Sequence, residues 1–178
     1  MKVLLVDDEP FILQGLSVLI DWAAEGCEIV KMASNGKEAL LYLEDHEADL
    51  VITDIKMPVM SGLELLEQIR GRQISDAFFI ILSGYNDFSY AQKAIRYACM
   101  DYLVKPVQKE ALLELIRKAK SSLAVTEQNA ENERRMQEMQ LKQYIIALLR
   151  GKQNEEELKY VKERLRLGDG GLRYIPVS

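Results

Sequence analysis

The alternation of short apolar runs with amphipathic stretches is the feature that most constrains the fold of residues 1–121. The apolar runs are residues 2–6, 28–33, 50–53, 78–83 and 101–104. Runs of this length, rich in Val, Ile and Leu, are typical of strands buried on both faces, and the stretches between them have helical spacing. The pattern therefore predicts an α/β fold in which a five-stranded parallel sheet has helices on both faces.

Each predicted helix has an apolar side and a start signal. Pro10 begins the first helix, since proline suits a first helical turn, and Asn35-Gly36 begins the second. A fourth helix is predicted over Ser89–Tyr97, and a long fifth helix begins near Lys109. The expected core-facing residues of the first three helices are Phe11, Ile12, Leu16, Leu19, Ile20, Ala39, Leu40, Leu43, Leu63, Leu65, Leu66 and Ile69.

Beyond Ser121 the composition becomes rich in Glu, Gln, Asn, Arg and Met. The residues fall into three predicted parts: a domain over 1–121, a helical linker over 122–150, and the start of a second region over 151–178. Within the long helix a heptad spacing predicts a coiled coil and self-association. The heptad residues are Leu112, Ile116, Ala119, Leu123, Thr126 and Ala130. A helix stop at Gly151, a further helix and a strand near 172–177 complete the prediction.

Composition excludes several classes of function. The net charge of -5 and the pI near 5.1 argue against direct binding of nucleic acid or of an anionic membrane. No apolar stretch approaches the roughly 18 residues of a membrane span, and no signal peptide is evident at the first residues. The two cysteines, Cys27 and Cys99, lie in apolar settings typical of reduced core thiols. We therefore expect a cytoplasmic protein.

Carboxylates follow two of the predicted strands. Asp7 and Asp8 come directly after the first strand, and Asp54 ends the third. Ligands of open α/β sheets bind at the carboxyl ends of the strands, so these groups are expected to converge. Hard oxygen ligands of this kind favour Mg²⁺, and a divalent ion offsets the repulsion between close carboxylates.

Two more polar residues follow the last two strands. Ser83 ends the fourth strand and Lys105 follows the fifth. A carboxylate, a hydroxyl and an ammonium at successive strand ends are suited to a phosphoryl group, because the anion needs a cation and hydrogen-bond donors. Asp54 is then the candidate nucleophile, which would form an acyl phosphate.

These motifs resemble the receiver domain of bacterial two-component response regulators. The resemblance covers roughly residues 1–121 and rests on Asp7-Asp8, on Asp54 to Pro58 with Gly62, on Ser83, on Tyr102, and on Lys105-Pro106. It implies the flavodoxin-like strand order 2-1-3-4-5. It also implies a phospho-accepting switch rather than an enzyme.

The resemblance implies a role for each residue. Asp54 accepts a phosphoryl group from a sensor histidine kinase. Asp8, Asp54 and the backbone carbonyl of Lys56 ligate Mg²⁺, while Asp7 acts through metal-bound water. Lys105 pairs with the phosphoryl oxygens, and the bond before Pro106 is expected to be cis.

Signal output is implied by the same resemblance. Ser83 and Tyr102 are the implied switch residues. They couple the site to the face formed by the fourth helix, the fifth strand and the fifth helix. That face, together with the helical linker, is the implied homodimer surface. Tyr85 is expected to border the site.

The segment from Leu82 to Ala91 and the helical linker resemble receivers that precede AraC-type DNA-binding domains. DNA binding would then belong to a C-terminal part that this sequence lacks. A receiver acting alone, or one coupled to an enzymatic output through protein contacts, is the alternative.

Overall fold

The computed structural model describes residues 1–84 and 99–149. The elements of these residues, in chain order, are β1 (Lys2–Val6), α1 (Pro10–Leu19), β2 (Glu28–Ala33), α2 (Gly36–Asp45), β3 (Leu50–Asp54), α3 (Gly62–Arg72), β4 (Phe78–Ser83), β5 (Asp101–Val104) and α4 (Lys109–Leu149). Residues Met1–Ala124 form one compact unit, and the chain from Val125 belongs to a second.

The five strands form one parallel sheet in the order β2-β1-β3-β4-β5. This order and the strand positions confirm the predicted fold. β3 lies in the middle of the sheet, and all five of its residues are buried. A strand with neighbours on both sides and helices on both faces must be apolar throughout, which explains the uninterrupted run before Asp54.

Alternate residues of each strand supply two separate hydrophobic clusters, one on each face of the sheet. On one face Leu5 and Ile52 pack with α1 and the start of α4. On the other face Leu4 and Val51 pack with α2 and α3. Because side chains of a strand point alternately to opposite faces, adjacent residues of one strand serve different cores.

Side-chain caps fix where two helices begin. The Asn35 side chain accepts the Glu38 backbone N–H at 2.9 Å, which starts α2 at the predicted position. Ser61 and Glu64 form a reciprocal capping box at the start of α3. A cap of this kind satisfies backbone donors that the helix itself leaves unpaired. The start of α3 is thereby fixed just after the loop that follows Asp54.

The prediction that Phe11 faces the core is wrong, since Phe11 is 85% exposed. In α1 the core-facing side is formed by Ile12, Leu13, Leu16 and Leu19, and Ile20, just after the helix, is buried in the same core. Phe11 shares the opposite side with Val18, which is also exposed. Phe11 is rotated by about 100° from Ile12, on the side away from Leu13 and Leu16, so it lies outside the core-facing stripe.

The predicted heptad of the long helix is also corrected. Its first three residues, Leu112, Ile116 and Ala119, are fully buried in the core beneath the sheet. They stabilise the 1–124 unit and are not available to a partner helix. The prediction that the linker extends the last helix is confirmed, because α4 continues without interruption to Leu149.

Some predicted features fall outside the described residues. These are the helix over Ser89–Tyr97, Tyr85, the stop at Gly151 and the region 151–178. No helix within the described ranges combines the length and apolar character needed to cross a membrane.

Candidate functional site

Polar residues meet at the carboxyl edge of the sheet, where four adjacent strands end. Asp7 follows β1, Asp54 ends β3, Ser83 ends β4, and Lys105 follows β5. Asp7, Asp54 and Ser83 are buried although they are polar. A buried polar group is stable only with hydrogen-bonding partners, so the contacts among these residues define the site.

Lys105 joins the two carboxylates that the sequence placed in the site. Its Nζ lies 2.6 Å from Asp54 Oδ1 and 2.8 Å from Asp7 Oδ2. The Asp7 side chain is fully buried, and that of Asp54 is 11% exposed. Both carboxylates therefore depend on one ammonium for charge compensation in a poorly solvated place. The Lys105–Pro106 peptide bond is cis, as the resemblance implies.

Burial and the ion pairs act in opposite directions on the two titrating groups. Burial raises the pKa of the Asp54 carboxyl, although the Lys105 ammonium and the Lys56 backbone N–H act to lower it. Burial also disfavours the charged Lys105 ammonium, but the Asp54 and Asp7 carboxylates outweigh it, and the pKa of Lys105 is raised. Lys105 is thus firmly protonated, while the Asp54 carboxylate is less stabilised than its ion pair alone would make it.

The acidic turn after β1 separates its two aspartates. Asp7 points inward, where its second oxygen accepts the Glu9 backbone N–H at 3.0 Å. Asp8 is exposed at the mouth of the site. The structure therefore brings Asp7, Asp54 and Lys105 into direct contact and leaves Asp8 on the solvent side.

The two predicted switch residues lie on β4 and β5. Ser83 is 1% exposed, and its hydroxyl donates to the Gly84 carbonyl at 3.0 Å. Tyr102 is partly buried and pairs with Ile81 in the sheet. The Lys105 backbone N–H donates to the Ser83 carbonyl at 2.7 Å. Ser83 and Lys105 are thus held next to each other by the backbone.

Two residues of the site were missed as functional candidates. Thr53 is fully buried, and its hydroxyl donates to the backbone carbonyl of Asp54 at 3.0 Å. Gly62, a motif residue to which the sequence assigned no role, lies against the same carbonyl so closely that a Cβ there would be 2.1 Å from it. A glycine in the first turn of a helix, where other residues are favoured, is the one available signal.

The loop between β3 and α3 is shaped by short backbone contacts. The Lys56 N–H donates to Asp54 Oδ2 at 2.8 Å, and the Gly62 N–H donates to the Ile55 carbonyl at 3.0 Å. The Met60 N–H donates to the Pro58 carbonyl at 2.8 Å, which closes a tight turn around Val59 at a φ of 71°. The orientation of the Asp54 carboxylate is therefore fixed from both sides.

The donor set fits a magnesium ion. Asp7 and Asp54 both contact the Lys105 ammonium, and their carboxylate oxygens are the kind of atom that Mg²⁺ prefers. Across the described ranges no group of three or more Asp, Glu, His or Cys side chains is assembled for a metal. Mg²⁺ usually keeps several waters and needs one or two carboxylates, so Asp54 together with the aspartates of the turn after β1 meets its requirement.

A separate cavity lies away from these residues. It has a volume of about 540 Å³ and is lined by residues of the turns before β3 and β4, including His46, Asp49 and Asp76. His46 stacks on Tyr42 with ring centroids 4.6 Å apart. This cavity is at the amino ends of the strands, opposite the carboxylate site, and His46 is an exposed residue.

Chemically, the carboxyl edge offers an oriented carboxylate next to an ammonium. An aspartate so placed is suited to nucleophilic attack on an electrophile that carries negative charge, because the cation stabilises the charge of the incoming group.

Comparisons with known proteins agree with this chemistry. Residues 3–117 match the family profile described as "Response regulator receiver domain". The chain is 42% identical over 115 residues to the transcriptional regulatory protein HptR of Staphylococcus aureus, covering 65% of this chain and 44% of that protein. It is 39% identical over 112 residues to the uncharacterized transcriptional regulatory protein YesN of Bacillus subtilis, covering 63% of this chain and 30% of that protein. The chain thus spans less than half the length of these relatives.

Solved structures show the same likeness. The receiver domain of AraT, a response regulator from Geobacillus stearothermophilus, is 39% identical and superposes with a TM-score of 0.65, covering 71% of this chain and 97% of that one. A two-component transcriptional regulator AraC from Clostridium phytofermentans is 28% identical with a TM-score of 0.63, covering 70% of this chain and 95% of that one. The chain belongs to the response regulator receiver domain family of two-component signalling.

Proposed function

We propose that this chain is a phosphorylation switch in which Asp54 accepts a phosphoryl group from a sensor histidine kinase. The observation that carries the proposal is the Asp54 carboxylate at the buried end of the central strand, 2.6 Å from the Lys105 ammonium. In the transfer, an Asp54 oxygen forms a bond to phosphorus, and the bond from phosphorus to the donor atom breaks. In this proposal the domain is a phospho-accepting signalling switch that catalyses its own phosphotransfer, rather than a metabolic enzyme.

Lys105 has a second task once the phosphoryl group is present. In the described state its ammonium neutralises Asp7 and Asp54 together. A phosphoryl group adds negative charge at Asp54, and charge-assisted hydrogen bonds to its oxygens are stronger than those to a neutral acceptor. Lys105 would then pair with the phosphoryl oxygens.

Asp8, Asp54 and the Lys56 carbonyl are the proposed direct ligands of Mg²⁺, and Asp7 would act through bound water. When bound, the ion supplies positive charge that offsets the carboxylates and the incoming phosphate. Asp8 is exposed next to the inward Asp7. Its position at the mouth of the site supports a role in admitting the ion.

Ser83 and Tyr102 are the proposed transmitting residues. The Ser83 hydroxyl donates to a neighbouring carbonyl and lies on the strand next to Asp54. Exchange of that bond for one to a phosphoryl oxygen would pull the end of β4 toward Asp54. Tyr102 is half-buried on β5, which pairs with β4, and it would follow that movement inward.

The proposed output is transcription, through an AraC-type DNA-binding part that lies beyond this chain. The support is that HptR and YesN, which match the receiver, are transcriptional regulatory proteins. We also propose that the chain self-associates, through β5, α4 and the helical linker. Its location in the cell is proposed to be the cytoplasm, where such a regulator reaches DNA.

Incubation of the whole chain with acetyl phosphate and Mg²⁺, followed by intact mass spectrometry, tests the proposal. One phosphoryl group should be added to the wild-type chain and none to Asp54→Asn. A matched control is Asp49→Asn, because Asp49 stands just before the same strand at its opposite end. Asp49→Asn should be labelled like the wild type. Labelling of Asp54→Asn at the wild-type level would refute the assignment.

A further inference from the structure

Thr53 is a polar residue in a buried strand that is otherwise apolar up to Asp54. The three residues before it in β3, Leu50, Val51 and Ile52, are apolar, and Thr53 itself is 0% exposed. Valine has nearly the shape of threonine and would suit a strand that is covered on both faces. A buried hydroxyl costs free energy unless it has a hydrogen-bonding partner. The partner of the Thr53 hydroxyl therefore indicates what the threonine contributes at this position.

That partner is the backbone carbonyl of Asp54, which lies 3.0 Å from Thr53 Oγ1. The carbonyl is one end of the peptide unit that joins Asp54 to Ile55. At the other end of this unit, the Ile55 N–H donates to the Leu82 carbonyl at 3.1 Å. Both polar atoms of the unit are thus engaged, one by a side chain and one by the backbone after β4 residue Ile81. Because a peptide unit is planar, two such hydrogen bonds fix its orientation.

The next peptide unit, between Ile55 and Lys56, is held in the same way. The Ile55 carbonyl accepts the Gly62 N–H at 3.0 Å, and the Lys56 N–H donates to Asp54 Oδ2 at 2.8 Å. All four polar atoms of the two peptide units that follow Asp54 are therefore in hydrogen bonds. The position of the Lys56 backbone follows from the orientations of these two units.

The start of α3 lies directly against the hydroxyl and its acceptor. A Cβ at Gly62 would be 2.8 Å from Thr53 Oγ1 and 2.1 Å from the Asp54 carbonyl oxygen. The same glycine donates to the Ile55 carbonyl, so one helix start closes on both peptide units. Threonine is also stiff at χ1, because two heavy atoms branch from its Cβ. The hydroxyl is therefore held in one place, where it can orient the Asp54 carbonyl.

We propose that Thr53 is a positioning residue, whose hydroxyl keeps the Lys56 backbone in place for the metal ion. This inference rests on the proposed function, in which the Lys56 carbonyl is a ligand of Mg²⁺. Thr53 acts through the Asp54 carbonyl and the two peptide units after it, and it contacts neither the ion nor the phosphoryl group. Without the hydroxyl, the first peptide unit is free to tilt about its remaining hydrogen bond, and the Lys56 N–H loses its alignment with the Asp54 carboxylate.

Titration of the full chain with Mg²⁺, without a phosphoryl donor and followed by amide nuclear magnetic resonance, tests the proposal. Thr53→Val keeps the shape of the side chain and removes the donor. Its Kd for Mg²⁺ should rise about tenfold, because ion binding then has to order peptide units that have lost a hydrogen bond to a buried carbonyl. Thr53→Ser should bind Mg²⁺ much as the wild type does, since the hydroxyl is retained. The Mg²⁺ concentration that gives half-maximal labelling by acetyl phosphate should follow the same order.

The amide proton of Lys56 gives a direct signature of the positioning role. Its hydrogen bond to a carboxylate is charge-assisted, and such a bond moves the amide proton resonance downfield. In Thr53→Val this resonance should move upfield even before Mg²⁺ is added, whereas in Thr53→Ser it should stay near its wild-type position. A hydroxyl that served stability alone would leave this resonance unchanged.

Two control variants separate positioning from general destabilisation. Val51 is fully buried and lies two residues before Thr53, on the same face of β3. Val51→Ala should lower the midpoint of urea unfolding but leave the Kd for Mg²⁺ and the Lys56 amide resonance unchanged. Thr126→Val removes the hydroxyl of the other threonine, which lies in the separate unit that begins at Val125, and should change none of these quantities.

The outcomes distinguish this inference from the proposed function. A Thr53→Val protein with the wild-type Kd for Mg²⁺, an unmoved Lys56 amide resonance, or an equal loss of Mg²⁺ binding in Val51→Ala would each overturn the positioning role. If Asp54 is labelled by acetyl phosphate in the same experiments, the positioning role alone is rejected. A wild type that binds no Mg²⁺, or labelling of Asp54→Asn at the wild-type level, rejects the proposed function instead.

Discussion

Replacement of Gly62 by alanine should destabilise the fold by distorting the strand that carries Asp54. A Cβ at this position would lie 2.1 Å from the Asp54 carbonyl oxygen and 2.8 Å from Thr53 Oγ1. Ordinary contacts are ~3.5 Å or longer, so α3 and the end of β3 would have to separate by roughly 1 Å. The obstacle is backbone at the centre of the sheet, which cannot rotate away as a side chain would.

The size of the effect can be bounded. Overpacking of a close-packed interior typically costs ~1–3 kcal/mol. Glycine to alanine in a helix ordinarily stabilises it by ~0.5–1 kcal/mol. Because Gly62→Ala meets main-chain atoms, we expect a net loss of about 2–3 kcal/mol in the free energy of unfolding. Gly71, in the same helix, has nothing within 4 Å of its Cβ position, and Gly71→Ala should gain up to about 1 kcal/mol.

Urea unfolding followed by far-ultraviolet circular dichroism measures both variants. The comparison within one helix removes the general preference of helices for alanine over glycine. A Gly62→Ala protein as stable as the wild type would refute the reasoning that this glycine is required by close approach. A loss of similar size in Gly71→Ala would refute it equally, since a Cβ in open space would then cost as much as one placed against the backbone.

Three further outcomes are expected. Lys105→Met should lower stability by about 2–3 kcal/mol, because it leaves the buried Asp7 carboxylate without its cation. Mg²⁺ should raise the melting temperature of this variant more than that of the wild type. Glu38→Gln should lower stability modestly at neutral pH. The Lys31 hydrogen bond and the Ser34 backbone N–H lower the pKa of Glu38 to about 2, so its stabilising contribution is fully present above its ordinary pKa. The difference in stability between variant and wild type should therefore vanish as the pH falls from about 4.5 through about 2. Arg70→Met should cost about 2 kcal/mol, since the guanidinium donates to two carbonyls.

Each of these has its own check. For Lys105, an equal increase in the melting temperature of variant and wild type on addition of Mg²⁺ would contradict the inference that one ammonium compensates two carboxylates. For Glu38, a stability difference that grows toward acid pH would show the wrong sign. For Arg70, the lysine variant should recover little, because an ammonium cannot reproduce a planar guanidinium fork, and full recovery would count against the geometry. Urea unfolding between pH 2 and pH 7 measures the Glu38 and Arg70 variants, and thermal unfolding with and without Mg²⁺ measures the Lys105 variant.

The strands could be predicted from sequence because both faces of the sheet are covered. A strand buried on both sides must be apolar at every position, so the run Leu50 to Thr53 is visible without knowledge of its neighbours. The strand order came from the resemblance. Asp7, Asp54, Ser83 and Lys105 were identifiable because each follows such a run.

Contacts between distant residues could not be predicted in this way. The Lys105–Asp7 ion pair joins residues 98 positions apart, and its existence depends on side-chain reach across the assembled edge. The role of Gly62 could not be read from sequence because the Asp54 carbonyl that it contacts is placed by β3. The exposure of Phe11 depends on the rotation of about 100° between adjacent helical residues. A count of the apolar residues in the helix does not show which of them face away from the core.

The ion pair between Lys105 and Asp7 also has a mechanical consequence. β5 is an edge strand of four residues, hydrogen-bonded only to β4, and β1 lies on the far side of β3. Neighbouring strands are about 4.8 Å apart, so the ends of β5 and β1 are separated by roughly 14 Å of sheet. The ion pair between Lys105 and Asp7 links the ends of β5 and β1, which are not hydrogen-bonded to each other. When a new anion draws the Lys105 ammonium away from Asp7, this link between the strands is lost. The backbone amides of β5 should then exchange with solvent faster than those of β3.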